Sequence, residues 1–354
     1  MVSKTAVFVA LAVLASAMLL PAMDAEVSDT EVFSYYAQLD VNSKLVYKAV
    51  NEATTVDGET KDFEIKFTDS SLFDDTDGAK AYADDAVRNA LTALYLSNPM
   101  VPYIWDYPVA AVEVVPQIDT VTVQHGEEVS TYYVVNQVKF TLKVPEGITS
   151  ESMKELNEAL KEFSVSGSTD ADKVKSIMSD LDKVYFKEDE EGKISNIYSA
   201  LVLKETTSAG VAQAFVQLCK LNNIPAITVA GFDLLATNET LSFWNDVYLE
   251  GDVDGETVKS WYIVDPTYAV STGIAGYLTE VSYDGKTYSM SSAHNEDLSF
   301  KGDVTLKTPQ LEKEKYVPVG GIPFIDLYGE AILIVAIGVV MIGSMIYAMR
   351  KGII

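Results

Sequence analysis

Three polar side chains in the second half of the chain could converge on one site: Ser208, Ser242 and Asp265. Ser208 directly precedes an apolar run at residues 209–221, in which the three polar residues fall at i, i+4 and i+7. A helix with so narrow a polar stripe must be covered by protein on most sides. We therefore expect Ser208 at the N-terminus of a buried helix.

The other two residues lie on a predicted β-hairpin. Residues 241–249 (LSFWNDVYL) and 258–264 (VKSWYIV) flank a turn rich in glycine and aspartate, which predicts two paired strands. Ser242 lies early in the first strand and Asp265 directly follows the second. A further β-branched run at 226–230 (AITVA) predicts a third strand. This arrangement brings the three side chains together at the start of the helix.

These segments resemble, in order and spacing, the core of the transglutaminase-like superfamily. The similar motifs are SAGVA at 208–212, SFWN at 242–245 and WYIVDPT at 261–267. The resemblance implies an α+β fold with a buried helix packed on an antiparallel sheet. It also implies a set of scaffold residues that shape the cleft: Gly210, Trp244, Asn245 and Trp261.

The chain departs from that family at two of its three catalytic positions. The family has a nucleophilic Cys where this chain has Ser208, and a His where it has Ser242; only Asp265 matches. A serine hydroxyl needs a base within hydrogen-bond reach, which a second serine does not provide. The three residues are therefore predicted to be degenerate triad positions of an inactive protein. Such a protein would bind another protein, a peptide or a glycan in the former cleft.

Four other residues could replace the missing groups. Cys219 is the only cysteine and is expected in the core rather than as a displaced nucleophile. Of the two histidines, His125 is expected in a solvated turn and His294 in a polar loop; a His294 that folds back as the base is the less favoured interpretation. Lys204 is expected at the surface, and a Ser-Lys pair with Ser208 is the alternative. An active serine-dependent hydrolase or peptidase using Ser208 remains the second hypothesis.

Hydropathy and charge divide the chain into six predicted segments. Residues 331–349 carry no charge, are close to the roughly 20 residues that span a bilayer, and are followed by Arg350 and Lys351. This order predicts a single-pass type I cell-membrane protein with its ectodomain outside the cell; an uncleaved N-terminal anchor is the alternative to a signal peptide. The segments are a signal peptide (1–25), an N-terminal α/β region (26–165), a transglutaminase-like domain (166–300), a stalk (301–330), a transmembrane helix (331–349) and a cytoplasmic tail (350–354).

The N-terminal α/β region is predicted to extend the same fold, with a separate binding domain as the alternative. Apolar periodicity predicts its helices and strands, and a further helix that leads into the core. The predicted helices are 31–52, 79–96, 151–163 and 170–184, and the predicted strands are 63–67, 109–115, 120–123 and 131–144.

Composition limits the partners. The net charge of −26 and the pI near 4.3 argue against nucleic acid and anionic lipid as partners of the ectodomain. Acidic clusters at 74–78, 188–191 and 252–254 lack EF-hand spacing, so a solvated acidic surface is favoured and no metal or cofactor is expected. A calcium-dependent adhesive or structural envelope protein remains the third hypothesis. Asn238 begins an Asn-Glu-Thr sequence and is a glycosylation candidate.

Overall fold

The computed structural model describes residues 33–108, 110–125, 128–187, 194–233, 241–267, 280–283, 286–289, 293–312 and 316–319. The predicted signal peptide (1–25), transmembrane helix (331–349) and tail (350–354) lie outside these ranges, as does Asn238. Within the described ranges, no helix has both the length and the hydropathy that a membrane span requires.

The fold is α+β, as the sequence predicted, and six α-helices fall within the described ranges. The helices are α1 (Tyr35–Gln38), α2 (Val41–Asn51), α3 (Thr76–Ser97), α4 (Ser150–Glu162), α5 (Asp170–Leu181) and α6 (Ser208–Leu221). The strands are β1 (Thr60–Lys66), β2 (Val115–His125), β3 (Glu128–Lys143), β4 (Tyr185–Phe186), β5 (Glu205–Thr206), β6 (Ala226–Asp233), β7 (Leu241–Val253), β8 (Glu256–Val264), β9 (Glu280–Tyr283), β10 (Lys286–Ser289) and β11 (His294–Glu296).

Two antiparallel sheets make up most of the β-structure described. The first has the order β1-β3-β2, and the second, which carries the candidate site, has the order β11-β6-β7-β8. The predicted β7–β8 hairpin is confirmed and extends further than predicted, to a pairing of Val253 with Glu256. Its turn places Asp254 and Gly255 at positive φ, and the Gly255 N–H donates to Asp252 Oδ1 at 2.8 Å.

Two predictions for the N-terminal region were wrong in detail. The helix predicted at 31–52 is broken, because Leu39 has an extended backbone and Asp40 starts a new helix. The Asp40 carboxylate accepts a hydrogen bond from the Ser43 N–H at 2.7 Å, which is a typical N-terminal cap. The strand predicted at 109–115 begins only at Val115.

Helix α6 approaches the rest of the core unusually closely. A Cβ at position 210 would overlap Thr206 Oγ1 and lie 2.6 Å from Asn196 O, so only glycine fits there. The buried Asn245 amide fastens the helix to the sheet by donating to Ala212 O at 3.0 Å and to Ile227 O at 3.2 Å. These contacts fix the start of α6 against β7.

Segments from both ends of the described chain pack on this core. The Tyr35 hydroxyl, in α1, donates to Thr228 O in β6 at 3.1 Å. The sequence predicted a stalk from residue 301, but its first residues lie along the domain: the Thr305 N–H donates to Asn89 Oδ1 at 2.9 Å and the Glu312 N–H to Trp261 O at 2.8 Å. The polar composition of this segment is thus satisfied by partners in the fold as well as by water.

Trp244 has the largest fully buried side chain of the site-bearing sheet. Its ring also packs on His294 of the candidate site. Its indole is fully buried, and its Cη2 would lie 2.7 Å from a Cβ at position 231. Trp244→Ala is expected to lower the free energy of unfolding by about 3–5 kcal/mol, since it leaves a large cavity. Urea denaturation of the variant and the wild type measures this, with the exposed Val319→Ala as a control. A change near zero would mean that the indole is not part of the core.

Asp246 is a buried carboxyl group without a partner. Neither of its oxygens has a hydrogen bond within the described part of the chain. Burial raises the pKa of Asp246 well above its usual range, and the nearby charge of Glu296 raises it further. The folded state therefore binds this proton more tightly than the unfolded chain does.

This raised pKa predicts the sign of a pH effect. The contribution of Asp246 to stability is fully present below its unfolded pKa of about 3.9 and is lost as the pH rises through the higher folded pKa. Asp246→Asn, which does not ionise, is expected to lose less stability than the wild type between mildly acidic and neutral pH. Urea unfolding of both proteins across that range measures the difference. Parallel stability curves would contradict a neutral Asp246 in the fold.

Candidate functional site

Ser208 occupies the first position of α6 and is almost completely buried, with 9% of its surface exposed. Its Oγ accepts a hydrogen bond from the Phe243 N–H in β7 at 3.2 Å. In this hydrogen bond the Ser208 oxygen is the acceptor. The sequence prediction of a serine at the start of a buried helix is confirmed.

The start of α6 lacks the side-chain cap that other helices of this chain have. The residue before it, Thr207, donates its hydroxyl to Ser195 Oγ at 3.0 Å and makes no cap to the helix. Backbone N–H groups at such a helix start can stabilise a developing oxyanion. The side-chain caps of α2 to α5 are Asp40, Asp75, Thr149 and Thr169, respectively.

Asp265 is paired with His294. The His294 Nε2 and Asp265 Oδ2 lie 2.8 Å apart, and the two side chains are 1% and 5% exposed. Asp265 Oδ1 accepts from the Thr267 N–H at 2.8 Å, which orients the carboxyl group. Where the Asp265 oxygen accepts this hydrogen bond, Nε2 carries the proton of the neutral imidazole and Nδ1 carries none.

The prediction of a polar loop around His294 was wrong. His294 begins β11, which pairs with β6 so that His294 lies opposite Asp233. This pairing is long-range and therefore leaves no local pattern in the sequence. It brings a histidine from beyond the predicted hairpin to the aspartate that ends β8.

His294 lies on the face of the sheet toward which Ser242 is directed. Its ring packs on Trp244 with 4.5 Å between ring centroids, and side chains two residues apart in a strand point to the same face. Ser242 itself is half-buried and lies opposite Gly231 in β6. A Cβ at Gly231 would overlap Asn295 O, so glycine allows β11 to approach. The imidazole therefore lies beside Trp244, on the same face of the sheet as the Ser242 side chain.

The other candidate residues lie apart from this chemistry. Cys219 is fully buried, and burial raises the pKa of its thiol well above the usual range, as expected of a core residue. Lys204 is exposed, in agreement with its predicted surface position, and has a left-handed backbone with φ of 60°. His125 ends β2, at the tip of the β2–β3 hairpin. Trp261 is buried in β8. No group of three or more His, Cys, Asp or Glu side chains within the described ranges could hold a metal ion.

An aromatic cluster beside Ser208 was not predicted. The ring of Phe243, whose N–H contacts Ser208, lies 5.7 Å from the Tyr95 ring and 5.8 Å from the Phe300 ring. The Phe300 ring also lies 6.2 Å from that of Tyr107. These residues come from three distant segments, so no spacing pattern could have grouped them. They form an aromatic cluster around Phe243, the residue whose backbone N–H contacts Ser208.

Part of this chain matches a known protein family. Residues 157–266 match the family model described as the transglutaminase-like superfamily. No curated protein sequence matches the chain.

The solved structures that match the chain have low sequence identity and low TM-scores. One is a TGase (11% identity, TM-score 0.24, covering 64% of this chain and 57% of that one). Another is a provisionally assigned cysteine protease from Cytophaga hutchinsonii (14%, 0.26, covering 59% and 80%). A third is the periplasmic domain of TgpA from Pseudomonas aeruginosa (13%, 0.23, covering 46% and 66%). The chain spans a little over half the length of the first of these.

The family match covers both the helix that begins with Ser208 and the hairpin that ends at Asp265. It also includes the predicted scaffold residues Gly210, Trp244 and Asn245, of which Asn245 joins α6 to β7. Residues 157–266 of the chain are therefore similar to the transglutaminase-like superfamily.

Proposed function

We propose that this chain is a serine-dependent acyl-transfer enzyme, a hydrolase or peptidase, in which Ser208 is the nucleophile and His294 the base. The buried 2.8 Å hydrogen bond between His294 and Asp265 is the observation that carries this proposal. The sequence favoured an inactive protein because Ser242 replaces the family histidine. An imidazole supplied by β11 removes the main objection to activity.

The proposed reaction is a two-step acyl transfer. Ser208 Oγ attacks the carbonyl carbon of an amide or ester, and its proton passes to His294 Nδ1. Asp265 holds the imidazole through Nε2 and stabilises the imidazolium that forms. When the tetrahedral intermediate collapses, the leaving amine or alcohol takes the proton from Nδ1. Water then attacks the acyl-serine by the same route and regenerates the hydroxyl.

Attack requires Ser208 to exchange its contact with the Phe243 N–H for one with the imidazole. Catalytic hydrogen bonds often form fully only when substrate is bound. The exchange would free the Phe243 N–H, which then joins the backbone N–H groups at the start of α6 as a donor to the oxyanion. The same atom that holds the resting hydroxyl thus becomes part of the reacting site.

The second candidate is the inactive, ligand-binding protein. It is favoured by the hydrogen bond from the Phe243 N–H, which holds Ser208 Oγ against the backbone of β7 in the free structure. In this case the cleft binds a protein, peptide or glycan without turnover, and the His294–Asp265 pair only stabilises the fold.

We also propose that the protein acts at the cell surface, where it would process or organise envelope material. The support is the sequence alone: an apolar N-terminal segment, and 19 uncharged residues at 331–349 followed by two basic residues. A single-pass anchor there would leave the candidate site outside the cell.

Labelling with a fluorophosphonate tests the proposed nucleophile. The full chain is expected to be modified at Ser208, because the reagent reports a serine that a neighbouring base activates. His294→Gln should abolish labelling, as should Ser208→Ala. Intact mass and peptide mapping give the extent and the position of the modification.

The control variants are Ser242→Ala and His125→Gln, which should label like the wild type. Labelling that persists in His294→Gln would show that His294 is not the base. A wild-type chain that stays unmodified would favour the inactive binding protein.

The Ser208→Cys variant tests whether the site stabilises a negative charge at position 208, and it does so independently of whether the serine is reactive. Ser208→Cys should give a thiol of lowered pKa, because a helix N-terminus and an imidazolium both stabilise a thiolate. Its alkylation by iodoacetamide at pH 7 is expected to be about tenfold faster than that of glutathione. Buried Cys219 keeps the background low.

Adding His294→Gln to Ser208→Cys should return the alkylation rate to that of an ordinary thiol. An ordinary rate in Ser208→Cys alone would mean that the imidazole does not reach position 208. That result would argue against any catalytic use of the His294–Asp265 pair.

A further inference from the structure

Strand β2 forms an open edge of the N-terminal sheet. The order β1-β3-β2 leaves β2 paired on one side only within the described ranges, and the strand is 11 residues long. None of its residues with a described side chain is buried. An exposed edge of this length is a template for a further strand.

The pairing of β3 shows which backbone groups of β2 face outward. The Tyr133 N–H donates to Phe73 O at 2.8 Å and its carbonyl accepts from the Phe73 N–H at 2.9 Å, so both groups point away from β2. Tyr133 lies opposite Thr120. In an antiparallel pair of this kind, the N–H and C=O of Thr120 must also point away from β3. The two-residue alternation gives Thr122 the same orientation.

The features that usually prevent an edge strand from pairing with another strand occur only at the start of β2. Pro116 and the register shift between Gln117 and Ile118 disrupt the start of the strand. Beyond them the ladder to β3 is regular, and Val121 is 38% exposed on one face. No lysine, the commonest protective residue of an edge, occurs in the strand.

Lys139 lies opposite Val115 at the start of β2, but β2 and the residues that flank it in the chain carry only acidic charge. Residues 106–138 contain five acidic residues and no Lys or Arg. The whole chain carries a net charge of −26. A second copy of the chain would bring the same charge to the edge and be repelled, whereas a cationic segment would be attracted.

We propose that residues 120–123 of β2 bind an extended cationic peptide segment, in which Lys or Arg alternates with β-branched residues, as an added antiparallel strand. Backbone hydrogen bonds to Thr120 and Thr122 supply the strand pairing, and the β-branched side chains pack beside Val121. This surface is independent of the proposed acyl transfer and remains if the protein is inactive.

A fluorescent peptide tests the surface on the full chain. The probe is acetylated, amidated Lys-Val-Lys-Val-Lys-Val-Lys, with binding measured by anisotropy, and its control replaces every Lys by Glu. The cationic peptide is expected to bind and the acidic one not. Thr122→Lys should weaken binding by about 2- to 5-fold and Thr122→Glu should strengthen it by a similar factor, because each adds one charge at an exposed site.

Two further measurements separate strand pairing from general attraction of charges. Thr122→Pro removes an outward N–H that the β3 ladder does not use, and should weaken binding by up to about tenfold; Thr122→Val keeps the N–H and should bind like the wild type. Hydrogen exchange should show slower exchange at Thr120 and Thr122 with peptide bound. The charge variants keep the test valid if the proline variant does not fold.

Several results would overturn the proposal. These are no binding of the cationic peptide, equal affinity in Thr122→Lys and Thr122→Glu, and unchanged exchange at Thr120 and Thr122. Concentration-dependent dimerisation that protects these same amides would assign the edge to a second copy of the chain instead.

Discussion

The buried hydrogen bond between His294 and Asp265 is the constraint on which the arrangement of the site depends. Each group would be costly to bury without the other, because a polar side chain removed from water loses its hydration. Their pairing therefore requires that β11 and the end of β8 stay in place together. These two segments belong to the outer strands of the site-bearing sheet, so the bond acts across its full width.

The residues around this pair allow the strands to meet. Gly231 leaves room for β11, and the Trp244 indole fills the space beneath the imidazole. On the other side of β7, Asn245 holds α6 to the sheet, and Gly210 lets Thr206 and Asn196 approach the helix. Ser208 is thus held next to the backbone of Phe243.

The sequence predicted where the site lies in the chain but not that His294 is one of its residues. The order of helix, strand and hairpin depends on local periodicity and turn residues, and it was confirmed with small shifts in the bounds. The match to a known family likewise rests on contiguous motifs. His294 was misplaced because its short strand is three residues long and has no local pattern. The same holds for the broken helix near Leu39, where a single cap at Asp40 overrides a continuous apolar pattern.

What the sequence by itself determined is the scaffold: a buried helix headed by Ser208 and a hairpin followed by Asp265. Only the tertiary structure decided that an imidazole stands beside that aspartate. The reason is physical. Periodicity records how a segment buries its own apolar face, whereas the pairing of β11 with β6 depends on backbone hydrogen bonds between strands about sixty residues apart.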